Sequence, residues 1–277
     1  MNKKLAFIGG GNMAEALIAG LLRNHTLAPD DLLVCEKASA RRAALESLYQ
    51  VETAEDNARG PEASRTVFLA VKPKILADIQ EEIRRGLTPE HLVISILAGI
   101  SRARLASALG QAERMVRVMP NLPAQVGRGV SAITFPPALP ESGREWVRTI
   151  FRSVGEVVEV EESLQDVVTA VSGSGPGYIF YLAQVFIEAA VAEGLSPPVA
   201  RRLVTETLAG SAEVLRRRDD SPEELVRKVA TPGGTTEAGL AVLLDNDLAG
   251  VFRTLVTRSA QRSRELGGPL PSTGEMG

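Results

Sequence analysis

The stretch LAFIGGGNMAEAL, residues 5–17, decides the fold. An apolar run enters a glycine cluster and leaves it as a helical pattern. The cluster reads G-x-G-x-x-A, with Gly9, Gly11 and Ala14 at the fixed positions. In a strand–turn–helix unit the first glycine makes the tight turn. The second lets backbone approach a pyrophosphate, and the small third residue allows close helix–strand packing. The helix amino terminus supplies unpaired N–H groups and a partial positive charge. A glycine-rich turn that holds no ligand fits the same letters, so the surrounding chain has to arbitrate.

Outward from this turn, short apolar runs alternate with helical stretches. Strands are expected at 4–9, 32–36, 66–70, 92–97, 114–118, 130–134 and 156–160, with helices at 12–23, 39–48, 74–85, 101–109 and 141–152. Continuous Val/Ile/Leu runs mark strands buried on both faces. The alternation marks a doubly wound, mostly parallel α/β sheet of Rossmann type over residues 1–160. After about residue 161 no strand-like run remains. Helical patterns fill 163–172, 177–194, 197–217, 222–230, 236–245 and 247–266, an all-helical domain over 161–266. Ser221-Pro222 supplies an N-cap and a first-turn proline. The tail 267–277 has no periodic face and reads as disordered.

Composition narrows the function. The 277 residues carry a net charge of −3, with 44% hydrophobic and 23% charged residues. Nothing there calls for nucleic acid or an anionic membrane. The run Arg216-Arg217-Arg218 is followed at once by Asp219-Asp220 and reads as a solvated helix end. The single cysteine, Cys35, lies in an apolar run and reads as a buried structural thiol in a reducing, cytoplasmic setting. His25 and His91 are far apart, and no Cys/His spacing points to a metal. Residues 167–187 carry no charge and are long enough to span a bilayer. Gly173, Gly175, Pro176 and Gly177 interrupt them, so a buried helix–turn–helix of a soluble core is expected.

Strand ends give the candidate cofactor residues. Glu36 ends the second strand, 22 residues after Ala14. An acid there accepts hydrogen bonds from an adenosine ribose and disfavours a 2′-phosphate. Lys37, Ser39, Arg41 and Arg42 follow directly and suit that phosphate. The two signals oppose each other, so NADH and NADPH both remain open. Lys72, in AVKP (70–73), lies either beside the cofactor or in solvent at a strand end. ILAGIS (96–101) and MPNLPAQVGRG (119–129) end later strands in the same way.

Two further glycine clusters stand in the helical half, at 172–177 and 232–236. Each puts small residues and hydroxyls at the start of a helix. That suits a carboxylate or phosphate, or else tight helix packing with Ser/Thr caps. The helical half holds no histidine or cysteine, and no lysine follows the first cluster until Lys228. An alcohol dehydrogenase needs a placed base. A reductase acting on a protonated imine does not, because the substrate cation already attracts hydride.

Four stretches in this order resemble the pyrroline-5-carboxylate reductase family: FIGGGNMAEAL (7–17), AVKP (70–73), VSGSGPGY (171–178) and VATPGGTTEAG (229–239). The likeness covers residues 3–266, and its last stretch is specific to that family. It implies a homodimer interlocked through the helical domain, often assembled into rings. It also implies hydride transfer from NADPH to the imine carbon of 1-pyrroline-5-carboxylate, giving L-proline. By motif, the implied cofactor contacts are Gly9, Gly10, Gly11, Asn12 and Met13, with Glu36 and Lys37 beside them. Asn57, thirteen residues before Ala70, joins them, as do Ala70, Val71, Lys72 and Pro73, and Ile96, Leu97 and Ala98. Implied substrate contacts are Glu162, Thr235 and Thr236. Gly233 and Gly234 receive the ring carboxylate, and Ser172, Gly173 and Ser174 line another wall. Thr236 is the implied catalytic group, its hydroxyl beside the ring nitrogen. Glu162 either favours the cationic nitrogen or is only a solvated acid. Two features depart from the family pattern: Glu36-Lys37, where neutral or hydroxyl residues are usual, and the bulky Leu97. Two rivals stand beside this reading. A hydroxyacid dehydrogenase would carry a lysine on the helix after the 172–177 cluster, and residues 178–190 contain none. A non-catalytic NAD(P)-binding protein would have little use for PGGTT.

Overall fold

The computed structural model describes residues 2–110 and 113–268. The first half runs β1 (Leu5–Ile8), α1 (Asn12–Arg23), β2 (Leu32–Cys35), α2 (Ser39–Tyr49), β3 (Glu52–Ala54), α3 (Arg59–Ala63) and β4 (Thr66–Leu69). It continues with α4 (Leu76–Gly86), β5 (Leu92–Ser95), α5 (Arg102–Leu109), β6 (Met115–Met119), β7 (Gly129–Thr134), α6 (Glu141–Arg152) and β8 (Gly155–Glu159). The strands form one sheet in the order β3-β2-β1-β4-β5-β6-β7-β8. Every neighbouring pair is parallel except β6–β7. This is the doubly wound class expected from the alternation.

The sheet is wrapped because successive residues of each inner strand serve opposite faces. Leu5, Phe7, Val34 and Phe68 point into one core with Leu17 and Ile18 of α1 and Ile150 and Phe151 of α6. Ala6, Ile8, Leu33 and Leu69 point into the other with Ile79 and Ile83 of α4 and Leu105 of α5. Phe68 links two ring contacts, to Phe7 at 5.0 Å and to Phe151 at 5.8 Å. Each such buried side chain contributes about 1.5–3 kcal/mol. β3 falls outside the expected strands. It is a three-residue edge strand, Glu-Thr-Ala, with one apolar residue and no buried one, so no apolar run announces it.

The second half is helical: α7 (Gln165–Val168), α8 (Gly175–Ala192), α9 (Pro197–Arg217), α10 (Pro222–Val229), α11 (Thr235–Asp245) and α12 (Leu248–Leu266). The chain forms two compact units. One contains the residues up to Ser174 together with those from Arg258; the other is Gly175–Thr257. The sequence reading put this division near 160, at the last strand. In the second unit α8 packs on α9, and α10 opens with Ser221 Oγ accepting from Glu224 N at 3.2 Å. The arginine run ends α9 in solvent, with Arg216 and Arg217 both bonded to Glu213.

One expectation is overturned here. Residues 167–187 are not a buried helix–turn–helix. A π-helical turn at Thr169–Gly173 takes up the glycine-rich stretch, and helical structure resumes at once in α8. No residue of α8 is buried, and Phe180, Tyr181 and Phe186 are all more than half exposed. The run Glu162–Ala192 is long and apolar enough to cross a membrane by length and composition. Of the tail expected to be disordered, residues 269–277 lie outside the described ones. Gly267 and Gly268 do not hang free: both carbonyls accept from Arg104.

Candidate active site

Sheet order determines where a ligand meets the first unit. β1 lies between β2 and β4, and the connections leave it in opposite directions. The crevice beyond the carboxyl ends of β1 and β4 is therefore the switch point of the sheet. The expected cofactor positions converge there along adjacent strand ends. Gly9 N donates to Cys35 O at 2.7 Å, Ala70 N to Ile8 O at 2.9 Å and Ile96 N to Leu69 O at 3.2 Å.

The glycines of the turn do different work. Gly9 has φ +97°, and a Cβ there would stand 2.9 Å from the Ala70 carbonyl oxygen. Only glycine fits both constraints. An added Cβ at Gly10 would meet Leu45 Cδ1 at 2.7 Å, a packing role that the motif does not announce. At Gly11 the nearest atom would be Ala70 O at 4.0 Å, so the missing side chain leaves a cradle open to solvent. Gly11 caps α1 without a side-chain hydrogen bond, and Ala14 is fully buried beneath. An open cradle at an uncapped helix start fits a pyrophosphate.

The turn is braced from below. Glu36 accepts from Gly10 N through Oε2 and from Ala38 N through Oε1, both at 2.9 Å. Arg41 donates to Gly10 O at 2.6 Å and to Glu15 at 2.5 Å, and Tyr49 Oη donates to the other Glu15 oxygen at 3.0 Å. The hydrogen bond from Arg41 holds the Glu15 carboxyl below the usual carboxylate range. Arg42 bonds the carbonyls of Glu36 and Lys37 and the Glu55 carboxylate. Lys37 stands 3.4 Å from Glu82, which also takes the buried Asn57 amide at 2.9 Å. Lys72 is exposed, with no partner among the described residues. The bulk of Leu97 is absorbed by the core: its side chain packs with Ile100 and Leu105, which leaves its backbone at the strand end. Cys35 is buried, and desolvation pushes its thiol up to about 12, far from a nucleophile.

Glu162 is partly shielded, and its two oxygens differ: Oε2 is buried with no hydrogen-bond partner among the described residues. Its Oε1 accepts from the buried Arg117 at 2.9 Å and from Arg102 N, the first residue of α5, at 3.1 Å. Asp166 approaches the same guanidinium at 3.8 Å and accepts from Ser263 Oγ at 2.6 Å. Arg117, a cation inside an otherwise apolar strand, was the sequence signal for this network. Gly173 lies against the end of the Met119 side chain, which leaves no room for a Cβ there. Ser172 bonds back to Val168 O at 3.1 Å, and Ser174 receives Ser259 Oγ at 3.5 Å.

In the second unit, Gly233 has φ +70° with open space around it, and Gly234 caps α11 without a side-chain hydrogen bond. Thr235 is exposed and Thr236 half-buried; neither hydroxyl has a partner among the described residues. Glu237 was not singled out in the sequence. It folds back onto Gly233 N at 2.7 Å, and Gly234 N donates to Thr231 O at 2.9 Å, so both glycine N–H groups expected for a ligand are already taken. An acid four residues after a turn glycine, in the first helical turn, was the available signal.

A doubly wound sheet, an open glycine cradle at its switch point and a separate helical unit define a dinucleotide-binding protein of the Rossmann class. Residues 4–99 match the family described as NADP oxidoreductase coenzyme F420-dependent, and residues 162–266 match pyrroline-5-carboxylate reductase dimerisation. The pyrroline-5-carboxylate reductase of Synechocystis sp. is 39% identical over 96% of this chain and 99% of its own. A solved pyrroline-5-carboxylate reductase from Coxiella burnetii superposes with a TM-score of 0.89 at 32% identity, over 97% of this chain and all of that one. The Plasmodium falciparum pyrroline carboxylate reductase, solved with NADP bound, gives 0.86 at 28% identity over 96% and 99%. The chain belongs to the pyrroline-5-carboxylate reductase family.

Proposed function

We propose that this protein reduces 1-pyrroline-5-carboxylate to L-proline, the last step of proline biosynthesis. The observation that carries the reading is the full-length likeness to such reductases, which includes the helical half as well as the common nucleotide half. The residues after β1, β4 and β5 would hold a nicotinamide dinucleotide, with Gly9, Gly10, Gly11, Asn12 and Met13 at the phosphates. Asn57, Ala70, Val71, Lys72, Pro73, Ile96, Leu97 and Ala98 would complete the site. When bound, the reduced nicotinamide supplies the hydride.

The substrate needs a protonated ring nitrogen and a fixed carboxylate. The start of α11 offers both kinds of contact: N–H groups that no side chain caps, and two hydroxyls without protein partners. The N–H groups from Thr235 onward receive the carboxylate, since Gly233 and Gly234 already donate to Glu237 and to Thr231 O, and the Thr236 hydroxyl lies at the ring nitrogen and orients the imine. Hydride adds to the imine carbon, the C=N bond becomes a single bond, and the nitrogen keeps its proton. No side-chain base is required, in keeping with the histidine-free helical half. Glu162, bound to Arg117 and Arg102 N through Oε1, sets the position of α5 and the chain after β8, and its unpartnered Oε2 keeps a negative charge that favours the cationic nitrogen. Assembly is as a homodimer through the helical unit, with rings of dimers as the larger form, in the cytoplasm.

The test is direct. Purified protein should oxidise reduced nicotinamide dinucleotide when given 1-pyrroline-5-carboxylate. Thr236→Ala should lower kcat/KM for the imine by about a hundredfold, the lower end of the range for one lost transition-state hydrogen bond, and leave coenzyme Kd nearly unchanged. Unaltered turnover would remove Thr236 from the site.

A further inference from the structure

We propose that the end of β2 selects the coenzyme, and that Glu36 makes this chain prefer NADH to NADPH. The inference rests on the reductase reading for the coenzyme class alone. The two coenzymes differ by one phosphate on the adenosine 2′ oxygen. In sheets of this class that ribose meets the residue ending the second strand. Here that residue is Glu36, and its carboxylate is held on both oxygens. Gly10 N, in the glycine turn itself, donates to one at 2.9 Å, and Ala38 N donates to the other at 2.9 Å. Swinging the acid away would strip Gly10 of its acceptor. An anion fixed in that place accepts from a ribose hydroxyl and repels a phosphate carrying nearly two negative charges.

The neighbouring cations do not offset this. Among the described residues no lysine or arginine pairs with Glu36. Each of the three nearby cations is matched to a different carboxylate: Arg41 to Glu15 at 2.5 Å, Arg42 to Glu55 at 3.1 Å and Lys37 to Glu82 at 3.4 Å. Arg41 and Arg42 are also tied to backbone carbonyls, at 2.6 Å to Gly10 and at 2.8 Å to Glu36 and Lys37. A guanidinium must break these bonds before it can fork onto a phosphate. Ser39 and the α2 start, which no side chain caps, favour the phosphate, but they are neutral dipoles set against a full charge.

Calorimetric titration of the substrate-free protein with NADH and with NADPH reads the preference without turnover. The expected Kd is at least about tenfold lower for NADH. Glu36→Gln keeps an oxygen for Gly10 N–H and removes the charge, so the NADPH Kd should fall about tenfold while the NADH Kd moves less. Tighter NADPH binding by the unaltered protein overturns the proposal, and so does a Glu36→Gln variant with an unchanged ratio. Absence of binding by either coenzyme, with no turnover of the imine, would overturn the reductase reading as well. Normal turnover with an NADPH preference overturns this inference alone.

Discussion

Single residues fix the glycine turn, and their substitution has separable effects. Gly9 combines a left-handed φ of +97° with a 2.9 Å approach to Ala70 O for any added Cβ. Gly9→Ala should therefore cost about 1–3 kcal/mol of stability, read by denaturant titration, and weaken coenzyme binding together with it. Glu15 acts through charge. Its carboxyl is held below the usual range chiefly by Arg41, so its stabilising share is present at neutral pH and is lost as pH falls through the folded value. Glu15→Gln should cost about 1 kcal/mol at pH 7, and the gap from the unaltered protein should close below about pH 4, as followed by thermal melts across pH. The motif letters made Gly9 and Gly11 legible. They did not reveal Gly10 packing on Leu45, because that contact is set by where α2 lies.

Elements were legible where an apolar run or a helical period was long enough to speak alone. β1, β2, β4 and β5 are buried on both faces and stand out as continuous runs. β3 pairs with β2 yet buries no side chain, so its existence depends on a neighbouring edge that the sequence does not display. The glycine-rich stretch before α8 has the opposite problem. Glycine and proline predict a break, but Pro176 sits in the first turn of α8, where a missing N–H costs nothing, and the π turn takes up the rest. The close of α12 was hidden for a similar reason. The carbonyls just past its end, of Gly267 and Gly268, accept from Arg104, and Gly267 packs on the Gly99 turn beside residues 96–98. Arg104→Ala should lower Tm by a few degrees and raise amide hydrogen exchange across residues 258–268. Exchange unchanged there would show that the Gly99 contact alone secures the helix end.

At the scale of the whole molecule, the two units differ in what they bury. The first has two complete cores, one on each side of its sheet. The second leaves large apolar side chains in solvent on every one of its helices, among them Phe186 at 57% and Leu244 at 78% exposure. Exposed apolar surface of that extent marks a surface that another body covers. The apolar run Glu162–Ala192 satisfies a membrane span by length, yet α9 and α10 of the second unit carry Arg and Glu in quantity. The helical half matches a dimerisation family, and its exposed faces fit a second copy of the same chain, as obligate interfaces resemble a core cut in two. A charge placed in that face should separate the copies without dissolving the nucleotide core. Phe186→Asp, with Leu244→Asp as an independent second variant, is expected to sediment as a monomer at concentrations where the unaltered protein is dimeric. Because the glycine turn and its bracing residues all lie in the first unit, the monomer should still bind the reduced coenzyme in calorimetry. A variant that stayed dimeric with either aspartate would place the interface elsewhere on the helical unit.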